Sequence, residues 1–253
     1  MTAAPLARRA AAEATGTALL VAVVVGSGIA ATRLSPGDTG LELLENALAT
    51  ALGLGALILM FGPVSGAHFN PVVSIADWWL GRRSGSGLTS RDLAAYVPAQ
   101  VAGAVAGSIL ANLMYALPPV TVSGTQRSGG HLWLAEAVAT SGLLLLIFGL
   151  ARSGRSAVAP AAVGAYIGAA YWFTSSTSFA NPAVTAGRAF SDTFAGIAPS
   201  SVPGFVLAQF AGLLAGLAAI ALFYPSAGTA AGDVVVPHDD TAGAWTPERV
   251  PER

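Results

Sequence analysis

The sequence predicts an all-α membrane protein with six transmembrane helices and two re-entrant half-helices, arranged as an inverted repeat of a three-span unit. Three observations carry this reading. The first is composition: 54% of the 253 residues are hydrophobic and 10% are charged, which leaves too little polar surface for a soluble domain. The second is span length. About 20 apolar residues cross a bilayer core, and six stretches qualify, at about 10–32, 43–62, 93–117, 131–151, 157–173 and 203–224. The third is internal duplication. Residues 99–107 read AQVAGAVAG and residues 208–216 read AQFAGLLAG, 109 residues apart, while Asn70-Pro71 and Asn181-Pro182 lie 111 apart. Glu13 and Glu136, each early in the first span of its unit, correspond at a spacing of 123. Because each unit has an odd number of spans, the second copy runs through the membrane upside down. The membrane domain is expected over 1–224, with repeat one at about 8–117 and repeat two at about 131–224.

From the N-terminus, MTAAPLARRAAAEATG leads into the first span without a small-residue cleavage site and reads as a cytoplasmic tail. Arginine placement supports that orientation. Arg8, Arg9, Arg82, Arg83, Arg91, Arg152 and Arg155 fall on one side, against Arg33, Arg127 and Arg188 on the other. Six spans then return the C-terminus to the cytoplasm. Trp78-Trp79 followed by Arg82-Arg83 reads as an interfacial anchor. Thirty glycines suit close helix packing in lipid. From Pro225 onward the chain is polar, Pro-rich and aperiodic and is expected to be disordered, with His238, Asp239 and Asp240 a solvated run and not a metal site.

Other classes are disfavoured. The chain has no cysteine, hence no disulfide or thiol chemistry, and its net charge of −1 argues against a nucleic-acid partner. It shows no metal-spaced cluster, no Gly-x-Ser-x-Gly and no phosphate loop. An enzyme and a cofactor are therefore not expected.

The two Asn-Pro segments, SGAHFNPVVSIADWW and SFANPAVTAGRAF, lie between spans and are too short to cross. Asn is a good helix N-cap, and proline at the first helical position has no N–H to leave unpaired. Each segment is a candidate half-helix of about ten residues. In an inverted repeat the two enter from opposite faces and meet N-terminus to N-terminus, so that two positive dipole ends face one point. A cation is repelled there, while a neutral hydroxylated solute accepts hydrogen bonds from the Asn amides. Irregular backbone at that depth must line a cavity. The pattern implies a pore for small uncharged solutes.

SGAHFNPVV, FANPAV, the carboxylates Glu13 and Glu136 and the repeated AQxAG segments together resemble the aquaporin, or major intrinsic protein, family over residues of about 8–224. That resemblance implies a right-handed six-helix bundle, one pore per subunit and a homotetramer in the lipid bilayer. It makes Asn70 and Asn181 the pore-centre donors, within the motifs Asn70-Pro71-Val72 and Asn181-Pro182-Ala183. Glu13 and Glu136 become acceptors for the backbone of the re-entrant loops, and His68 a pore-lining loop residue. In this family the residue after the second Asn-Pro-Ala is the arginine of an outer selectivity filter. Here it is Val184, with Thr50 and Ser178 as further filter positions and the fifth-span contributor expected within 165–169. The stretch NPAVTAGRAFSDTFAGIAP, from Asn181 onward, resembles the bacterial branch associated with arsenic resistance, which implies a plasma-membrane channel for water, glycerol or arsenous acid.

A filter of Val184 and Thr50 is expected to be wide and weakly polar. Arg188, seven residues after Asn181, lies about 10 Å further along a helix and within about 20° of the same face. It is expected either to overhang the outer vestibule or, more plainly, to anchor the outer surface or pair with Asp192. Rival readings are a water-selective channel, a plain glycerol facilitator and an ion-coupled transporter.

Overall fold

A computed structural model describes residues 4–82 and 84–225. Arg83 and the tail from residue 226, including His238, Asp239 and Asp240, lie outside the described residues. In chain order the helices are α1 (Leu6–Leu34), α2 (Thr39–Ser65), α3 (Pro71–Gly81), α4 (Ser90–Met114), α5 (Gly130–Arg152), α6 (Ala159–Phe173), α7 (Pro182–Gly187) and α8 (Val202–Phe223). Among the described residues there is no strand. Six helices (all but α3 and α7) form the spans, that of α6 beginning with a 3-10 turn at Ser156, and each is long and apolar enough to cross a membrane. The third span ends at Met114, three residues before the expected boundary, because Tyr115 caps it and Ala116 turns to a positive φ ahead of Pro118-Pro119.

Local chemistry explains the ends. The Asp38 carboxylate accepts from Leu41 N–H to start α2. Thr89 and Asp92 form a reciprocal capping box at α4. Asp92 also takes the guanidinium of Arg9 at 2.6 Å, fixing the start of α1 to the start of α4.

The halves pack alike: α1 lies against α4 and α5 against α8, while α2 packs on α6 across the halves. These contacts are close enough to require glycine. A Cβ on Gly103 would sit 2.2 Å from the Ala14 carbonyl oxygen, and one on Gly212 2.5 Å from that of Ala137. Large side chains such as Leu52, Leu59, Leu214 and Leu222 are exposed on the outer surface, as a lipid-facing wall requires.

Candidate functional site

The half-helices α3 and α7 meet through their caps. Asn70 Oδ1 accepts from Val72 N–H, and Asn181 Oδ1 accepts from Ala183 and Val184 N–H. With its oxygen so fixed, each side chain turns its amide across the interface. Asn70 Nδ2 donates to the Ala180 carbonyl at 2.8 Å and Asn181 Nδ2 to that of Phe69 at 2.7 Å. An amide carries two N–H groups, so each Asn keeps one beyond this exchange. The lengths of the two half-helices differ: α3 has 11 residues, but α7 has six, followed by a 3-10 turn over Arg188–Phe190. Gly187 closes α7 against the α4 backbone, where a Cβ would meet the Ala104 carbonyl oxygen at 2.6 Å.

A cavity runs past this meeting point. It gives water-sized molecules about 60 Å³ of room, several times the about 10–15 Å³ that one water needs. Leu20, Val24, Leu54, Ile58, Val73, Leu143, Ile147, Val163, Ile167 and Val184 form an aliphatic wall, while Thr50, His68, Asn70, Tyr171, Ser178, Asn181 and Arg188 supply polar atoms. Asn70 and Asn181 are therefore brought together at the cavity. Pro71, Val72, Pro182 and Ala183 are buried in the first turns of α3 and α7 and are not among its lining residues. Val73, one residue further on, presents its side chain instead. His68 lines the cavity, holds Ser74 Oγ at 3.0 Å through Nδ1 and meets the Tyr96 ring edge-on.

Thr50, Ser178 and Val184 share this cavity with Arg188. The pairing of Arg188 with Asp192 does not occur: the guanidinium is buried, stacks 3.4 Å from the centroid of Phe179 and donates through Nε to the Ala195 carbonyl. Asp192 instead accepts from Gly124 N–H at 2.9 Å. Arg127, from the connection between α4 and α5, approaches the same Phe179 ring at 5.2 Å and donates to Gly196 and Phe194 carbonyls. Burial lowers the pKa of Arg127. On α6, Ile167 lies inside the expected window, but the polar contributor is Tyr171, one turn beyond it. Its hydroxyl stands 3.2 Å from Thr50 Oγ1.

Two buried carboxylates hold the loops that enter the half-helices. Glu13 accepts from His68 N–H, Phe69 N–H, Ser65 Oγ and Gln100 Nε2 at 2.6–3.0 Å. Glu136 accepts from Phe179 N–H, Ala180 N–H and Gln209 Nε2 at 2.7–2.9 Å. Each glutamine donates onward, Gln100 to Ser74 Oγ and Gln209 to Thr185 Oγ1. These glutamines are the Gln of the repeated AQxAG segments. The repeat made them visible in sequence, but their task of tying glutamate to half-helix was not read from it. Residues Ala67, Phe69, Ser178 and Ala180 hold positive φ, the conformation that lets the loop N–H groups converge on each carboxylate.

Six spans, two half-helices capped by exchanged asparagines and a duplicated glutamate–glutamine scaffold define an inverted-repeat, multi-pass membrane protein. The chain belongs to the major intrinsic protein family, whose profile it matches over residues 1–179. It is 54% identical to the aquaglyceroporin AqpS of Rhizobium meliloti over 213 residues, 84% of this chain and 88% of that one. It is 31% identical to the probable aquaporin AqpM of Archaeoglobus fulgidus, with 76% of this chain and 86% of that one covered. The fold is similar to the crystal structure of the aquaglyceroporin from Plasmodium falciparum, with a TM-score of 0.61, 21% identity and 87% and 96% of the two chains covered.

Proposed function

We propose that the chain is a passive bacterial plasma-membrane channel for small neutral hydroxylated solutes, conducting water and glycerol-sized polyols, with arsenous acid as a further permeant. The observation that carries this reading is the cavity itself: its lining is mostly aliphatic, interrupted by hydroxyl and amide groups, and the Asn70 and Asn181 amides each retain an N–H beside it. A solute with both carbon and hydroxyl groups matches this mixed lining, and a cation at the two helix N-termini is disfavoured. Val184, in place of an arginine, leaves room for solutes larger than water. Glu13 and Glu136 act as scaffold, since donors from the loops and from Gln100 and Gln209 already surround them. The similarity to an aquaglyceroporin over most of both chains supports the same reading. As in that family, the working unit is taken to be a homotetramer with both termini in the cytoplasm.

The test is light scattering of proteoliposomes exposed to inward gradients of sucrose, glycerol and arsenous acid. Reswelling in glycerol and arsenous acid faster than in protein-free vesicles is expected. Accelerated shrinkage with no reswelling in either solute would make the protein a water-selective channel.

A further inference from the structure

A second cavity lies at the far end of α3, on the face that carries the N-terminus of α1, away from Asn70 and Asn181. It gives water-sized molecules about 220 Å³ of room and is lined by Trp78 and Arg82 at the end of α3, by Ser86 of the connecting loop and by Thr89 and Ser90 at the start of α4. Arg82 is exposed, with its guanidinium 3.3 Å from the centroid of the Trp79 ring and 6.0 Å from that of Trp78. Stacking fixes the plane of a guanidinium and leaves its N–H groups for another partner. Among the described residues they have no acceptor and no carboxylate in ion-pair range. The two carboxylates of this face serve elsewhere: Asp77 is buried and accepts from Leu88 N–H at 2.6 Å, and Asp92 takes Arg9 and Thr89. Ser90 Oγ accepts from Trp78 Nε1 at 3.1 Å, which leaves its O–H to donate.

We propose that this cavity binds the phosphodiester headgroup of an anionic phospholipid, with Arg82 holding the phosphate oxygens and Ser90 donating to the headgroup. The lining offers a free guanidinium and hydroxyls but no carboxylate, so the ligand it fits is an oxyanion. Two observations make that oxyanion part of a lipid and not free phosphate. Trp79, under the Arg82 guanidinium, is 45% exposed, as an indole at the membrane boundary is. Ser90, Ala94, Pro98 and Val101 are exposed at helical spacing along α4, so a stripe that is apolar beyond Ser90 leads from the cavity along the lipid-facing wall. An acyl chain lies along that stripe while the headgroup fills the cavity. The same face exposes Arg8, Arg91, Arg152 and Arg155, which draws anionic lipid toward it. The site does not depend on which solute the channel passes.

The test uses full-length protein in detergent micelles with tail-labelled phosphatidylglycerol, displaced by unlabelled phosphatidylglycerol, by phosphatidylcholine or by sodium phosphate. Phosphatidylglycerol is expected to displace the label at about tenfold lower mole fraction than phosphatidylcholine, whose ammonium offsets the phosphate charge beside Arg82. Millimolar phosphate is expected to leave the label bound. Arg82→Gln should weaken phosphatidylglycerol about tenfold, the loss of one charge-assisted hydrogen bond. Ser86→Asp, which sets a carboxylate in the cavity, should weaken it by a similar factor and stands in for Arg82→Gln if that variant does not fold. Arg155→Gln removes the same charge from the same face but lies outside the cavity lining, and should leave the affinity within about twofold of wild type. Equal displacement by the two lipids, an unchanged affinity in either cavity variant, or an equal loss in Arg155→Gln overturns the lipid site. Displacement by phosphate at the concentrations at which the lipid acts overturns it too, and assigns the cavity to a soluble oxyanion.

Discussion

The backbone N–H of Arg188 donates to the carbonyl of Val184, so the two residues stand one turn apart at the end of α7 and both line the cavity. This fixes what a residue at 184 can do. Placing arginine there puts a second guanidinium beside Arg188 and narrows the aliphatic side. Val184→Arg is expected to lower glycerol permeability in proteoliposomes at least about tenfold, a barrier increase of about 1.4 kcal/mol, with a smaller effect on water. Equal losses of both would mean that the variant perturbs the fold and not the width.

The asparagine exchange makes a symmetric stability prediction. Asn70→Ala and Asn181→Ala each remove a helix cap, worth about 0.5–2 kcal/mol, and leave a buried carbonyl of the opposite loop without its donor. Both variants should melt earlier than wild type in detergent, by similar amounts. A loss in one with none in the other would show that the exchange is not reciprocal.

The scaffold carboxylates are expected to matter for folding more than for conduction. Glu136→Gln replaces one oxygen of a carboxylate that accepts three N–H donors by an amide donor, and loss of a charge-assisted bond costs about 1.5–3 kcal/mol. Reduced thermal stability is expected, while residual flux stays independent of ion gradients. Flux in wild type that collapses when the proton gradient is dissipated would assign the glutamates a coupling role instead.

Glycine substitution separates packing from local conformation. Gly103→Ala forces a methyl against the α1 backbone at 2.2 Å and should cost about 1–3 kcal/mol, whereas Gly130→Ala, with nothing within 4 Å of its Cβ, should be neutral. Melting curves of the two purified variants decide this.

Spans and half-helices are legible in the sequence because their determinants are local: runs of apolar residues, Asn followed by proline and a duplicated pattern. The arrangement around Val184 is less so. Tyr171 reaches the cavity only through the register of α6 against α2, which its apolar composition leaves undetermined. Arg188 could be placed on the right face from helical periodicity, but its choice of Ala195 over Asp192 depends on a loop that returns from residue 191 and brings a carbonyl to Nε. Gln100 and Gln209 stood out as repeated letters. What they connect required the fold, since each joins residues from three separate elements.

Passive conduction through the cavity is tested most directly by glycerol flux across wild-type proteoliposomes measured in both gradient directions, with and without ionophores that dissipate proton and sodium gradients. Equal rates in both directions, faster than in protein-free vesicles and unaffected by ionophores, are expected. Flux that is absent, or that requires an ion gradient, would contradict the channel.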